Sequence, residues 1–324
     1  MYPIIYYVLV SLLCSAKAEI KPATEQIYLA DPTIFHEGGK YYLYGTDGFN
    51  ADSGFNAYES EDMQHWSKAL TGNQRVLTKG ASFGTKGFWA PQVFRHHGRY
   101  YMAYTANEHI AIAHSNNAAG PFKQTQIKAI DANVKQIDPF VFKDDDGKLY
   151  LYHVRLQKGN RIYVAELKSD LSEILPNTLQ ECISAANNPQ PWENTQQVKW
   201  TVTEGPTVIK RGSIYYMLYS ANDFRNPDYA VGYAVADNPY GPWKKYEGNP
   251  IISKKITGSN GSGHGDIVRD KAGEYYYVFH THFSNEKVSP RKTAMIKIHF
   301  NNESAGGTIA CEDSTFRYQE FMGE

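Results

Sequence analysis

Cysteine and long apolar segments are scarce in this sequence, and each scarcity excludes a class of protein. The 324 residues include only three cysteines, too few for a disulfide framework, and no two of them have the spacing of zinc ligands. Beyond residue 18 no apolar run approaches the roughly 20 residues that cross a bilayer. We therefore expect no membrane span, and we expect Cys182 and Cys311 to be free thiols or to form one incidental bridge.

An excess of charge of either sign is also missing. The sequence has 33 basic and 34 acidic residues, a net charge of −1, and no block of like charge. A surface that binds nucleic acid needs a basic patch or stripe, which this composition does not indicate. The balance favours a neutral or weakly charged partner and excludes nucleic acid, and we expect the chain to act as a monomer.

The first 18 residues, MYPIIYYVLVSLLCSAKA, form an apolar run that ends in an A-x-A pattern. This pattern predicts a secretory signal peptide cleaved after Ala18, and therefore export to the periplasm, the cell surface or the medium. An uncleaved anchor is the alternative, but an apolar stretch of roughly 13 residues is short for a bilayer. Residues 19–324 are then predicted to form a single domain.

Helical periodicity is nearly absent, whereas one pattern recurs five times. Each copy has an apolar run, a polar turn with glycine and an alternating aromatic run, which together predict a β-hairpin. The copies are LADPTIFHEGGKYYLYGT (29–46), FWAPQVFRHHGRYYMAYT (88–105), QIDPFVFKDDDGKLYLYHV (136–154), TEGPTVIKRGSIYYMLYS (203–220) and GHGDIVRDKAGEYYYVFH (263–280). We align them on Pro32, Pro91, Pro139, Pro206 and Asp266.

A weaker repeat after each hairpin, such as AYESEDMQHW (57–66) and YAVADNPYGPW (233–243), adds two further strands to each unit. Four-stranded units repeated around an axis are typical of a β-propeller. The sequence therefore predicts an all-β, five-bladed β-propeller with four-stranded antiparallel blades around a central channel. An irregular β-sandwich with coincidental hairpins is the alternative. No clear strand near the N terminus is predicted to close the ring onto the last blade.

Chemically active residues stand at the openings of these repeats. The two residues before each aligned position are Ala30-Asp31, Trp89-Ala90, Ile137-Asp138, Glu204-Gly205 and His264-Gly265. The first strand of each propeller blade lines the channel, so these residues are expected to converge at one end of it. A single Asp before Pro is usually a turn former. The shared position across the repeats is what favours a site made of Asp31, Asp138, Glu204, His264 and Trp89.

Several carboxylates on one small ring repel one another, so that one stays protonated while another stays charged. Glycoside hydrolysis needs this combination of a carboxylic acid and a carboxylate. Tryptophan and the 25 tyrosines offer flat apolar faces for sugar rings. Two alternatives remain open, a catalytically inactive carbohydrate-binding propeller and a propeller scaffold for protein partners.

The ordered motifs ADP, FWAP, IDP and EGP resemble glycoside hydrolase family 43. The resemblance implies an inverting, exo-acting enzyme that releases α-L-arabinofuranosyl or β-D-xylosyl units from plant-type polysaccharides or oligosaccharides, with a β-xylosidase or β-galactosidase as alternatives. It implies Asp31 as the general base and Glu204 as the general acid. Asp138 is then the acid that tunes the pKa of Glu204 and has an orienting role.

The resemblance also implies residues that bind the substrate. These are Phe88 and Trp89 in FWAP, Arg291 in SPRKTAMIKI and His264 in GSGHGD. His264 resembles a channel histidine near a bound ion, and the resemblance therefore implies a structural calcium or sodium ion held through water, although no cofactor is expected to be required. The sequence departs from the family in APQ, where APD is common, and no β-sandwich module follows the last blade.

Overall fold

The regular secondary structure of the described residues is almost entirely β-strand. The computed structural model describes residues 1, 24–301 and 307–323. Apart from Met1, the predicted signal peptide therefore lies outside the described residues. Helix within the described ranges is limited to a 3-10 turn, Pro191–Asn194, and the short α1, Lys254–Thr257. None of the helices described is long and apolar enough to cross a membrane.

Twenty-three strands follow one another along the described chain. The first seven are β1 (Thr24–Gln26), β2 (Leu29–Glu37), β3 (Lys40–Asp47), β4 (Gly54–Phe55), β5 (Ala57–Ser60), β6 (Ser67–Lys68) and β7 (Leu77–Thr78). The next seven are β8 (Trp89–His96), β9 (Arg99–Ala106), β10 (His109–Ser115), β11 (Gln136–Lys143), β12 (Leu149–Leu156), β13 (Asn160–Leu167) and β14 (Gln180–Ile183). The last nine are β15 (Thr203–Arg211), β16 (Ile214–Ala221), β17 (Ala230–Ala236), β18 (Lys244–Lys245), β19 (Gly263–Arg269), β20 (Tyr275–Thr281), β21 (Lys292–Asn301), β22 (Thr308–Tyr318) and β23 (Glu320–Met322).

These strands form five antiparallel blades, which confirms the predicted five-bladed propeller. Their orders are β2-β3-β5-β6, β8-β9-β10, β11-β12-β13-β14, β15-β16-β17-β18 and β19-β20-β21-β22. In the second blade the outer position is reduced to one bridge between His114 and Lys123. Strands β4 and β7 form a separate small pair beside the first blade.

The hydrophobic core lies between the blades rather than on the central axis. Each of five clusters of buried side chains joins two neighbouring blades. Tyr44 of the first blade, for example, packs with Met102 of the second. Leu43 of the first blade packs with Val278 of the fifth. The alternating aromatic runs thus serve both faces of each blade, because successive strand residues point to opposite sides.

The ring closes through a strand that the sequence analysis did not find. Strand β1, near the N terminus, pairs antiparallel with the C-terminal β23, with Glu25 opposite Phe321. The backbone N–H of Met322 donates to the carbonyl of Trp66 in the first blade at 3.0 Å. The indole of Trp66 is fully buried and donates to Gln319 Oε1 at 2.9 Å. Strands β1 and β23 therefore join the fifth blade to the first.

The innermost strand of every blade has an irregularity at the same position. The pairing register shifts between Ala30 and Thr33, and correspondingly in the other four blades. The residue at this point is in the left-handed region in each blade: Asp31 (φ 49°), Ala90 (45°), Asp138 (54°), Gly205 (60°) and His264 (45°). This conformation costs a non-glycine residue about 1–2 kcal/mol, and such strain is often retained at functional sites.

This shared conformation corrects the alignment of the fifth blade by one residue. Gly265, not Asp266, takes the place of the prolines. His264 is consequently equivalent to Asp31 and Asp138, whereas Glu204 occupies the preceding position together with Trp89. Gly205 has to be glycine, because a Cβ there would lie 2.7 Å from the ring of His264.

Candidate active site

Six of the seven predicted site residues meet at one pocket. A cavity of about 440 Å³ opens at the end of the channel where the innermost strands begin. Its lining includes Asp31, Trp89, Asp138, Glu204, His264 and Arg291. These residues come from all five blades, as the repeat predicted.

Phe88 is the exception, and its predicted contact with substrate is wrong. Its side chain is fully buried in the core between the first two blades. The ring centroid lies 5.9 Å from that of Phe55 and 6.0 Å from that of Tyr104. The alternation of side chains along a strand explains this outcome, because the neighbour of pocket-facing Trp89 must point the other way.

Hydrogen bonds between blades hold the left-handed residues in place. In four blades the backbone N–H of this residue donates to a side chain of the preceding blade. The pairs are Ala90 to Thr46 Oγ1, Asp138 to Thr105 Oγ1, His264 to Ser220 Oγ and Asp31 to His280 Nδ1. In the third blade the corresponding acceptor position is Val154, which cannot accept. The Gly205 N–H donates instead to Asp138 Oδ2 at 3.2 Å, and this bond orients the carboxylate.

Asp31 lies in a positive environment. Arg291 Nη1 donates to Asp31 Oδ1 at 2.9 Å, and Thr46 Oγ1 donates to Oδ2 at 2.7 Å. Burial alone would raise the pKa of Asp31, but Arg291, His264, His280 and the Thr46 hydrogen bond together hold that pKa well below its usual range. The carboxylate therefore stays charged throughout the neutral and mildly acidic range.

Glu204 lies in the opposite kind of environment. Burial raises the pKa of Glu204 to about 7. The charges of Asp31 and Asp223 act in the same direction, whereas two hydrogen bonds to the carboxylate act against it. The two bonds come from Tyr229 OH to Oε1 at 2.8 Å and from Asn160 Nδ2 to Oε2 at 3.0 Å. Glu204 can therefore hold a proton near neutral pH and release it to a bound molecule.

Asp138 is buried next to both of these carboxylates. Burial, and then the charges of Glu204 and Asp31, raise the pKa of Asp138 well above its usual range. Its Oδ2 accepts the Gly205 N–H and lies 3.9 Å from His264 Nδ1. Asp138 and Glu204 thus compete for protons, whereas Asp31 does not.

Two buried histidines complete the wall around Asp31. His264 Nδ1 lies 3.3 Å from Asp31 Oδ1, and His280 Nδ1 lies 3.4 Å from the same atom. Burial lowers the pKa of His264, and burial together with the Arg291 charge lowers the pKa of His280 well below its usual range. Both rings are neutral near pH 7, and Arg291 is the cation that neutralises Asp31.

The residues around His264 do not supply a direct metal site. No group of three or more His, Cys, Asp or Glu side chains in residues 24–301 and 307–323 has metal-binding geometry. Asp266, the carboxylate inside the channel, already accepts the hydroxyls of Thr33 at 2.6 Å and Thr207 at 2.8 Å. The predicted calcium or sodium ion would have to be held through water, and it stays a prediction.

Cys182 and Cys311 are free thiols, which agrees with one of the two expected outcomes. Neither lines the pocket. Burial raises the pKa of Cys311 to about 12, so this thiol is unreactive near neutral pH.

Several residues that line the pocket or support it from behind were missed by the sequence analysis. Asn160 and Tyr229 hold Glu204, Phe224 packs under the guanidinium of Arg291 at 4.7 Å, and Trp200 lies at the rim. Phe224 and Tyr229 belong to the connection between β16 and β17. Residues 222–229 form this connection, whereas only residues 107 and 108 join the corresponding strands of the second blade. The greater length of this connection was the feature of the sequence that could have indicated Phe224 and Tyr229 as site residues.

Comparisons with known proteins agree with the predicted family and with the fold. A sequence model of the family described as Glycosyl hydrolases family 43 matches residues 22–305. A beta-xylosidase from Xylanibacter ruminicola is 26% identical over 78% of this chain and 87% of its own length. A beta-D-galactofuranosidase from Aspergillus niger is 23% identical over 85% of this chain and 80% of its own.

Solved structures give a stronger match. The crystal structure of an endo-1,4-beta-xylanase from Bacteroides thetaiotaomicron is 37% identical, with a TM-score of 0.85. The alignment covers 94% of this chain and all of that one. The matched region is thus nearly the whole of both chains.

Proposed function

Because the chain belongs to glycosyl hydrolases family 43 and is a glycoside hydrolase, we propose that it is an exo-acting, inverting enzyme that removes terminal pentosyl units. The observation that carries this proposal is the contrast between Asp31 and Glu204 across one pocket. Asp31 is held charged by Arg291, whereas burial keeps a proton on Glu204 near neutral pH. An inverting glycosidase needs one carboxylate as base and one carboxylic acid.

In the proposed reaction Asp31 is the general base. It removes a proton from a water molecule as the water oxygen bonds to the anomeric carbon. Glu204 donates its proton to the oxygen of the leaving group as the glycosidic bond breaks. One proton is taken up and one is given, so the protein returns to its starting state after the two carboxyl groups exchange a proton with solvent. Inverting enzymes place these groups roughly 6.5–9.5 Å apart, which leaves room for the water.

Asp138, Arg291 and Trp89 support this chemistry in the proposal. Asp138 raises the pKa of Glu204 when it is charged and helps to orient the sugar, since both carboxyl groups line the same cavity. Arg291 orients Asp31 and presents its remaining donors to sugar hydroxyls. Trp89 offers a half-buried apolar face to the sugar ring.

We propose α-L-arabinofuranosyl or β-D-xylosyl units of plant-type polysaccharides or oligosaccharides as the groups released. Two of the relatives described above are named as a beta-xylosidase and an endo-1,4-beta-xylanase, which supports a pentose in the pocket. The cavity of about 440 Å³ lies within the range of roughly 300–1,000 Å³ that is usual for sites of small ligands.

A panel of substrates tests the proposal. The purified protein is incubated with aryl α-L-arabinofuranoside, β-D-xyloside and β-D-galactoside, and with arabino- and xylo-oligosaccharides. We expect turnover of one pentoside, release of single pentose units, and the inverted anomer as the first product in proton NMR. The retained anomer would overturn the mechanism. Binding of a sugar without turnover of any substrate would identify an inactive carbohydrate-binding propeller instead.

We also propose that the protein is exported, on the basis of the apolar run before Ala18. Expression of the full chain in a bacterial host with sequencing of the mature N terminus tests this. The expected first residue is Glu19. An intact N terminus in the cytoplasm would contradict export.

A further inference from the structure

A second cavity adjoins the catalytic pocket on the side of Glu204. Its volume is about 560 Å³, which is also within the usual range of roughly 300–1,000 Å³ for ligand sites. Trp200, Val202, Asp223 and Arg225 line both cavities. The indole of Trp200 therefore stands at the border between the two spaces.

The lining of this second cavity has the chemistry that binds sugars. Trp200 is 52% exposed, which is a large fraction for a tryptophan. Arg225 donates from Nε and Nη2 to the carboxylate of Asp223. Among the described residues no hydrogen bond uses its Nη1, which can therefore donate to a ligand. Gln196 is exposed beside them. A flat aromatic face next to neutral and cationic donors suits the apolar face and the hydroxyl edge of a sugar.

Hydrogen bonds of two asparagines connect the walls of the cavity. Asn222 Oδ1 accepts from the N–H of Thr195, and Asn222 Nδ2 donates to the carbonyls of Trp192 and Asp228. Asn226 Nδ2 donates to Asn222 Oδ1. The cavity is thus shaped by a satisfied network of amides, and its open donors belong to Gln196 and Arg225.

Hydrogen bonds connect this cavity to the acid. Trp200 Nε1 donates to Asn160 Oδ1 at 2.9 Å, and Asn160 Nδ2 donates to Glu204 Oε2 at 3.0 Å. The leaving group lies next to the general acid, because that acid must reach the leaving oxygen. Asp31 and Arg291 line the catalytic cavity and are not among the residues that line the second one. The space beyond Trp200 is therefore where a leaving group would extend.

We propose that Trp200 and the second cavity bind the leaving-group part of the substrate, a neutral chain of further sugar residues. This inference rests on the proposed function, because it takes Glu204 as the acid. The indole stacks on the first sugar of the leaving group, and the cavity beyond it receives the next. The enzyme then distinguishes a longer chain from a short glycoside without any change in the pentosyl unit that it releases.

The same indole positions the acid. Because Asn160 Oδ1 accepts from Trp200, the Asn160 side chain must present its NH₂ group to Glu204 Oε2, and that oxygen can only accept. The proton of neutral Glu204 therefore resides on Oε1. The Tyr229 hydroxyl can accept as well as donate, so it tolerates this proton. Trp200 thus acts as a positioning residue through Asn160.

Two variants of Trp200 separate stacking from positioning. Trp200→Ala removes both, whereas Trp200→Phe keeps an aromatic face and removes the indole N–H. Ile127→Ala, at another exposed apolar residue (58% exposed), is the matched control. The measurement is kcat/KM on a 4-nitrophenyl pentoside and on oligosaccharides of two to five units, together with the pH profile and the thermal unfolding midpoint.

For the wild type we expect kcat/KM to rise with chain length. Trp200→Ala should lower kcat/KM on the longest chain roughly tenfold or more, since truncation of a contacting Trp commonly costs this much. The loss on the aryl pentoside should be clearly smaller, because that substrate lacks the chain of further sugars and its good leaving group depends less on the acid. Trp200→Phe keeps the aromatic face and should therefore retain the chain-length preference in KM. Because it removes the indole N–H, it should lower kcat on oligosaccharides and shift the alkaline limb of the pH profile. Ile127→Ala should match the wild type.

An equal loss on aryl and oligomeric substrates, or a wild type that shows no chain-length preference, would overturn this inference while leaving the proposed function intact. A wild type that hydrolyses no glycoside would instead overturn the proposed function. An unfolding midpoint for Trp200→Ala close to that of the wild type is expected. If it is lower, titration of the catalytically blocked Glu204→Gln protein with oligosaccharide, with and without Trp200→Ala, decides between weaker binding and instability.

Discussion

Asp31 and Glu204 differ in charge state because their neighbours differ, although both are buried. Asp31 has a guanidinium and a hydroxyl within hydrogen-bond distance. The donors to Glu204 among the described residues are both neutral, Tyr229 and Asn160. A neutral donor stabilises a carboxylate less than an opposite charge does, so desolvation prevails at Glu204 and is outweighed at Asp31. One pocket thereby holds a base and an acid at the same pH.

These environments predict the pH dependence of catalysis. The active form needs charged Asp31 and protonated Glu204. Because the pKa of Asp31 is far below its usual range, kcat/KM should stay nearly constant from about pH 4.5 to 6. Above the Glu204 pKa of about 7 it should fall tenfold per pH unit as the acid loses its proton. The measurement is kcat/KM for a pentoside across this range.

Asn160→Ala provides the control for this assignment. The Asn160 hydrogen bond lowers the pKa of Glu204, so its removal should move the alkaline limb to higher pH. A limb that stays in place would mean that a group other than Glu204 sets it.

Replacement of the acid should depend on the leaving group. Glu204→Gln cannot protonate the leaving oxygen, so kcat on natural oligosaccharides should fall by roughly 10²–10⁴-fold, the usual contribution of general acid catalysis. A 2,4-dinitrophenyl pentoside needs no protonation and should lose far less. Asp31→Asn should impair both substrates equally, because the base acts on water in each case. Equal losses for Glu204→Gln on both substrates would refute its role as the acid.

At the scale of strands, the pocket depends on one repeated irregularity. Proline follows the left-handed residue in four blades, and glycine follows it in the fifth. The shared proline made it possible to recognise four of the site residues from the sequence, namely Asp31, Asp138, Glu204 and Trp89. The fifth blade lacks the proline, and its alignment was wrong by one residue for that reason. His264 was still identified as a pocket residue, because an error of one residue left it at the start of the same strand.

Other features could not be predicted because they do not repeat. Tyr229 lies on a connection whose length differs between blades, and Asn160 is the first residue of β13. No pattern in the sequence indicates where these two side chains point. The closing strand, Thr24–Gln26, is too short for a periodic signal and pairs with residues near the other end of the chain. Phe88 was placed in the site because of a motif, although alternation along the strand would have placed it in the core.

The closure of the ring gives a prediction about stability. Trp66 is fully buried and bonded to Gln319, a residue of the C-terminal segment. Trp66→Ala should destabilise the fold by about 3–5 kcal/mol through the cavity it leaves. Trp66→Phe should cost about 1–2 kcal/mol, mainly because Gln319 Oε1 loses its donor. Guanidinium unfolding curves measure both changes.

Gln319→Leu provides the complementary test. If the bond between Trp66 and Gln319 matters, Trp66→Phe and Gln319→Leu together should cost less than the sum of the two single changes. Additive costs would indicate that the indole stabilises the closure by packing alone.

At the scale of the whole molecule, the pocket exists only when the ring is complete. Asp31 belongs to the first blade and Arg291 to the fifth, 260 positions apart, and the two meet at 2.9 Å. Each blade supplies at least one lining residue of the catalytic cavity. The hydrophobic clusters between the blades hold this ring together, so the geometry of the site depends on every interface.

This arrangement predicts that activity and fold are lost together. The five tryptophans lie in several blades, so their fluorescence reports on the ring as a whole. In a guanidinium titration, the midpoint for turnover of an aryl pentoside should coincide with the midpoint for fluorescence. Trp66→Phe should lower both midpoints by the same amount, because the change loosens the closure and leaves the pocket residues in place. Loss of turnover well before the fluorescence change would show instead that the pocket opens while the blades remain joined.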